Sequence, residues 1–171
     1  RDLHSFPTRR SSDLAIIIGA GPAGLQAALT LGRMHRRTMV VDSGEYRNGT
    51  VAHMHNVVGD DGTAPADYRA RSREQLATYR DVAVARGAVS AITGSADDFT
   101  VHFPDGCSER ARRIILATGL ADDLPDIAGL RELWGRRAFA CPFCDGHEFH
   151  DAAIGIIGAG PRAQHLLGKI G

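Results

Sequence analysis

Apolar residues fall into short blocks along the chain, separated by glycine-rich turns. The first block, Ala15-Ile16-Ile17-Ile18, is continuous rather than alternating, which is the pattern of a strand buried on both faces. It runs straight into GAGPAG at 19–24. Leu25, Ala28, Leu29 and Gly32 then recur at helical spacing and predict a helix over 22–35. Thr38-Met39-Val40-Val41 predicts a second buried strand, closing on Asp42. Residues 43–63 are rich in Gly, Asp, Asn and His without periodicity and read as a loop carrying a site. A polar, Arg-rich helix is expected over 65–79, anchored by Tyr68, Leu76 and Tyr79. Stretches 82–92, 98–103 and 108–110 are expected to form an antiparallel meander, its last two strands joined at Pro104-Asp105-Gly106. Another buried strand, 112–117, ends on Thr118-Gly119. After the connector ADDLPDIAGL come a short helix near 130–134, CPFCDGHEFH at 141–150, a strand at 153–157, and a second glycine turn, GAGPRA, opening a helix.

Strand, glycine turn, helix, strand and acid make up the first half of a parallel doubly wound sheet, and the strand-turn-helix unit occurs twice, at 15–35 and 153–170. The expected fold class is α/β. A Rossmann-like doubly wound domain with a β-meander covers 15–119, and the start of a second Rossmann-like domain covers 120–171.

Composition narrows the function without naming it. Hydrophobic residues make up 43% of the 171, and 20 basic side chains balance 20 acidic ones, so nothing in the charge points to nucleic acid. No run of 18 apolar residues offers a membrane span. Three cysteines, Cys107, Cys141 and Cys144, are too few for a secreted disulfide scaffold, and a reducing, cytoplasmic compartment is the default. Residues 1–14 lack periodicity, and Ser5–Leu14 resembles the translation of a short-read sequencing adaptor, so this leader is expected to lie outside the fold. The first methionine is Met34 and the chain ends at Gly171 within an expected helix. It therefore reads as a fragment of a longer protein, one that by itself is expected to be inactive.

In a Gly-x-Gly-x-x-Gly turn, Gly19 permits the tight bend, Gly21 lets the backbone approach a pyrophosphate, and Gly24 lets helix and strand pack. Asp42, eighteen residues beyond Gly24, is placed to accept hydrogen bonds from a ribose diol. The alternative is a purely structural turn. In the second copy Gly158 and Gly160 are kept and Ala163 replaces the third glycine; Arg162 either approaches a phosphate or is an exposed first-turn residue. Cys141 and Cys144 have the spacing of a reversible disulfide. The rival is zinc held by Cys141, Cys144, His147 and His150. Ligands three apart drift around a helix and lack the separation of ~12–15 residues between pairs in structural zinc sites, so no metal is expected. Asp145, next to Cys144, is either a proton relay for the thiols or an exposed helix acid. Cys107 reads as a spectator.

Taken in order, GAGPAG, the acid ending the second strand, Ala117-Thr118-Gly119, Cys141-Pro-Phe-Cys144-Asp145-Gly146 and GAGPRA resemble the low-molecular-weight thioredoxin reductase family over residues 15–171. The resemblance implies FAD bound by Gly19, Gly21, Pro22, Ala23, Gly24, Asp42, Thr118 and Gly119. It also implies Asn56 in a flavin-contacting loop and NADPH on the second turn through Gly158, Gly160 and Ala163. Cys144 would face the flavin, Cys141 would attack the external disulfide, and Asp145 would act as acid and base. It further implies a thioredoxin-like or small-molecule disulfide or dithiol as partner, and a homodimer. The loop SGEYRNGTVAHMHN and the motif CPFCDGHEF are closer to subgroups that include oxygen-dependent dithiol oxidases. A nucleotide- or metal-binding module with structural cysteines is the reading from another class.

Overall fold

The computed structural model describes residues 14–170, in two compact units: residues 14–47 with Ala66–Asp122, and Asn48–Pro65 with residues 123–170.

The first unit is built on a four-stranded parallel sheet. Its strands are β1 (Ala15–Ile18), β2 (Thr38–Asp42), β3 (Val82–Arg86) and β7 (Arg113–Leu116), in the order β3-β2-β1-β7. The remaining strands, β4 (Ala91–Ser95), β5 (Asp98–His102) and β6 (Ser108–Ala111), form an antiparallel meander. Helix α1 (Pro22–Arg33) links β1 to β2, and α2 (Pro65–Ala77) precedes β3. The α/β class with a parallel sheet is the one the sequence pattern predicts.

Because side chains alternate across a strand, the continuous apolar runs supply two cores. Ile17, Val40 and Val82 meet Leu25, Ala28 and Leu76 on the helical face. Leu14, Ile16, Met39 and Val41 meet Val101, Phe103 and Ala111 of the meander on the other. The meander thus occupies the face that helices cover in a sheet wound on both sides. Leu14, expected to belong to the leader, is 4% exposed and its carbonyl accepts the Arg112 N–H at 2.9 Å, so the fold starts one residue earlier than expected. The rest of the leader, residues 1–13, lies outside the described residues.

Two expected strands differ. The stretch 82–92 is not one meander strand. Val82–Arg86 pairs in parallel with β2, where Val82 and Ala85 are buried, and the chain leaves the sheet at Gly87, whose N–H donates to the Asp42 carbonyl at 2.9 Å. Only Ala91–Ser95 joins the meander. In the second unit, 153–157 forms no strand. A strand needs a hydrogen-bonding neighbour, none of the described residues pairs with it, and Ile154 and Ile157 are exposed. Helix α1 ends at Arg33 rather than at His35, which turns left-handed at φ 54° while the Arg36 N–H closes onto the Leu31 carbonyl at 2.9 Å. The second unit holds the short helices α3 (Leu130–Leu133) and α4 (Pro142–Asp145), with α5 (Pro161–Ile170) behind the second glycine turn.

Replacing Ile17, fully buried, by Ala should lower stability by about 2–5 kcal/mol in guanidinium unfolding. Ile92→Ala on exposed β4 should change it by under about 1 kcal/mol.

Candidate active site

The parallel sheet fixes where a ligand could enter the first unit. From β1 the chain steps outward to β2 and β3, then returns on the opposite side of β1 as β7, so winding reverses between β1 and β7. Open α/β sheets bind ligands at such a switch point, outside the carboxyl ends of the strands. The carboxyl end of β1 is the glycine turn, and that of β7 is Ala117-Thr118-Gly119. The Ala117 N–H donates to the Ile18 carbonyl at 2.8 Å, and the Gly19 N–H donates to the Val41 carbonyl at 2.9 Å.

The three glycines do different work. Gly19 has φ 107°, and a methyl group there would collide with the Ala117 carbonyl. A methyl at Gly24 would collide with the carbonyl of Gly19. At Gly21 it would meet nothing within 4 Å. The turn is therefore closed on its protein side and open where Gly21 faces out. Gly21 caps α1 with Pro22 behind it, no side chain caps the helix, and its first turn carries no acid. Backbone donors there are left to an incoming anion.

Asp42 ends β2 and is 7% exposed. Its carboxylate accepts the Gly44 N–H at 3.0 Å, the Tyr46 hydroxyl at 2.8 and 2.6 Å, and a guanidinium N–H of Arg73. Arg69 lies 3.8 Å over the centre of the Tyr46 ring. Burial pushes the Tyr46 hydroxyl above its ordinary range, and the Asp42 carboxylate adds to this while Arg73 opposes it. Tyr46, Arg69 and Arg73 were not among the residues singled out from sequence, although Arg69 and Arg73 stand four apart on one helix, which puts them on one face. Arg47 grips Asp122 in two hydrogen bonds, 2.8 and 2.7 Å, joining the two points at which the chain leaves this unit.

The cysteine pair lies in the second unit. Cys141 and Cys144 form a disulfide with Cα atoms 5.3 Å apart, bracketing the first turn of α4. Their backbones are linked as well, the Cys144 and Asp145 N–H groups donating to the Cys141 carbonyl at 3.1 and 3.2 Å. Among the described residues no three His, Cys, Asp or Glu side chains gather as a metal site. His147 instead stacks on His150, their ring centres 6.3 Å apart. Asp145 is held above the ordinary carboxylate range, chiefly by burial and then by the charge of Glu148, with His55 acting the other way.

Asn56 also falls in this unit, in a left-handed conformation at φ 63°, its N–H donating to Asp61 at 2.7 Å. The structure thus gathers Gly19, Gly21, Pro22, Ala23, Gly24, Thr118 and Gly119 at one sheet end, with Asp42 closing the neighbouring strand β2. Cys141, Cys144 and Asp145 come together on α4. Gly158, with φ 139°, and Gly160, with φ 79°, lead into α5 with open space around them, and Ala163 lies in the first turn of that helix. Cys107 lies outside the disulfide, at the end of the 104–106 turn, and its own burial raises its thiol first, Asp105 and Glu109 adding to the rise.

The chain belongs to the pyridine nucleotide-disulphide oxidoreductase family, whose profile matches residues 14–165. Thioredoxin reductase tcpT of Claviceps purpurea is 40% identical over 150 residues, covering 86% of this chain and 47% of that protein. The thioredoxin reductase of Peptoclostridium acidaminophilum is 30% identical over 153 residues, covering 88% and 48%. The crystal structure of an oxidoreductase from Agrobacterium tumefaciens superposes with a TM-score of 0.87 at 44% identity, covering 91% of this chain and 53% of that one. The chain spans about half the length of the relatives it matches. Among the described residues no helix is long and apolar enough to cross a membrane.

This geometry has consequences for stability. Gly19→Ala and Gly24→Ala should each destabilise the protein by roughly 1–3 kcal/mol or more, whereas Gly21→Ala should leave the unfolding midpoint nearly unchanged. A carboxyl whose folded-state value is raised favours the unfolded state once it ionises, so stability falls as pH rises from the unfolded value of about 3.9 through the raised folded one. Asp145→Asn should therefore be more stable than the parent at neutral pH, and the gain should vanish at lower pH, where both states of the carboxyl are protonated; urea unfolding across pH checks it.

Proposed function

We propose that this chain carries the flavin turn and the redox disulfide of an FAD- and NADPH-dependent thiol–disulfide oxidoreductase of the thioredoxin reductase type. The observation that carries the reading is the Cys141–Cys144 disulfide on α4 with the raised carboxyl of Asp145 directly after it. The first unit supports it with a glycine turn at the switch point of a parallel sheet.

The residues present fit a dinucleotide. Gly21 faces open space, and neither an acid nor a side-chain cap occupies the start of α1. Gly19, Gly21, Pro22, Ala23 and Gly24 would hold the pyrophosphate of FAD and Asp42 its ribose, with Thr118, Gly119 and Asn56 toward the flavin. Gly158, Gly160 and Ala163 would hold NADPH. A bound flavin supplies a two-electron carrier between reduced nicotinamide and the disulfide.

The chain's own share is thiol chemistry. The Cys141 thiolate attacks one sulfur of a substrate disulfide and expels the other as a thiolate, leaving a mixed disulfide. Cys144 then attacks the Cys141 sulfur, which releases the second substrate thiolate and restores the Cys141–Cys144 bond. Asp145 gives and takes the proton that accompanies thiol and thiolate interconversion. The substrate is a thioredoxin-like protein or a small-molecule disulfide, and the working protein is a cytoplasmic homodimer.

Titrating FAD into the chain should quench flavin fluorescence, and a bulky Gly21→Val substitution should abolish the quenching. In protein expressed from the complete gene, disulfide-dependent NADPH oxidation should be lost in Cys141→Ser and Cys144→Ser. Assays with thioredoxin and with small dithiols under oxygen separate the substrate classes. A colourless protein with inert cysteines, or one with stoichiometric zinc, would sink the proposal.

A further inference from the structure

The loop 48–65 reaches the redox motif through one histidine. His55 is held between two carboxylates, with Nδ1 3.6 Å from Asp61 and Nε2 3.5 Å from Glu148. Its side chain is three-quarters buried. Asp61 is itself anchored, accepting the Asn56 N–H at 2.7 Å. Glu148 follows Asp145 by three residues, in the helical turn His147–Phe149 directly behind α4. The line Asp61, His55, Glu148 therefore ends beside the acid next to Cys144.

We infer that His55 is a positioning residue for Asp145: fixed by Asp61, it sets how much of the Glu148 charge faces the acid of the redox disulfide. The inference rests on Asp145 being that acid. The charged groups facing Asp145 are Glu148, from the turn behind α4, and His55, from the 48–65 loop, with Asp61 behind His55. Of the other histidines nearby, His147 stacks on His150, and His150 pairs with Asp151 at 2.9 Å. The imidazole of His55, 3.5 Å from the Glu148 carboxylate, offsets that charge where Asp145 meets it. Proton supply at the thiols is thereby coupled to a group on another part of the chain.

The test is a 13C titration of the Asp145 carboxyl in the oxidised 171-residue chain, its resonance assigned by its loss in Asp145→Asn. His55→Gln should move the midpoint up and Glu148→Gln should move it down, each by about half a pH unit. In the double variant the effect of His55→Gln should shrink, because the charge it offsets is gone. His55→Arg, which keeps a permanent cation, should return the midpoint to the parent value or below. A midpoint that stays put or falls in His55→Gln overturns the inference, as does failure of His55→Arg to reverse the rise. If a Gln variant does not fold, the Arg variant against the parent still decides, since a raised midpoint there contradicts it. No flavin enters this titration. Failure of the flavin reading would leave these midpoints as expected, whereas unmoved midpoints in an active flavoprotein would remove His55 alone.

Discussion

The first unit depends on a single strand that must be hydrogen-bonded along both edges. Four consecutive apolar residues, Ala15–Ile18, cannot face water on either side, so β1 sits between β2 and β7 with a core above and a core below. That central place constrains the backbone at its carboxyl end. The turn leaving β1 must fit between its neighbours at the sheet end, where a side chain at residue 19 would strike the Ala117 carbonyl. Glycine is required at 19 by the same packing that buries Ile16 and Ile17, and the opening at Gly21 is the space that this packing leaves over.

The sheet's second face shows how little freedom remains. Ile16, Met39 and Val41 need an apolar cover, and β5, β6 and the turn between them supply it through Val101, Phe103 and Ala111. On the helical face Gly32 allows α1 to approach Val82 and Tyr79, where a methyl group would crowd both side chains. Asp42, at the end of β2, is buried enough to need partners and finds them in Gly44, Tyr46 and Arg73. An acid held this way presents a fixed carboxylate at the strand end rather than a mobile one.

In the second unit the chemistry is concentrated in few residues. The Cys141–Cys144 bond closes one helical turn, so the thiols meet through local geometry alone. The environment of Asp145 is not local. His55, ninety residues earlier, and Glu148 act on it with opposite signs, and only the folded loop brings them there.

Much of this was legible in the sequence. The buried strands β1 and β2, the glycine turn, both long helices of the first unit and the cysteine pair all arise from patterns a few residues long: continuous apolar runs, positions recurring at helical spacing, and fixed motif spacing; the apolar run expected as a third buried strand forms β7 instead at the sheet's end, with Leu116 exposed. Those patterns could not say which elements become neighbours. The stretch 82–92 carries β-branched residues on both sides of Gly87, and only the available edge of β2 decides that Val82–Arg86 pairs in parallel while Ala91–Ser95 turns away to the meander. The run 153–157 has the composition of a strand and forms none, because a strand exists only where another backbone accepts its hydrogen bonds. The glycine turn, the apolar runs of β1 and β2 and the cysteine pair follow from side-chain volume, glycine and spacing, which are local properties of the chain. Strand pairing, the partners of Asp42 and the approach of His55 to Glu148 belong to the tertiary structure, since each is a contact between segments that chain order does not place together.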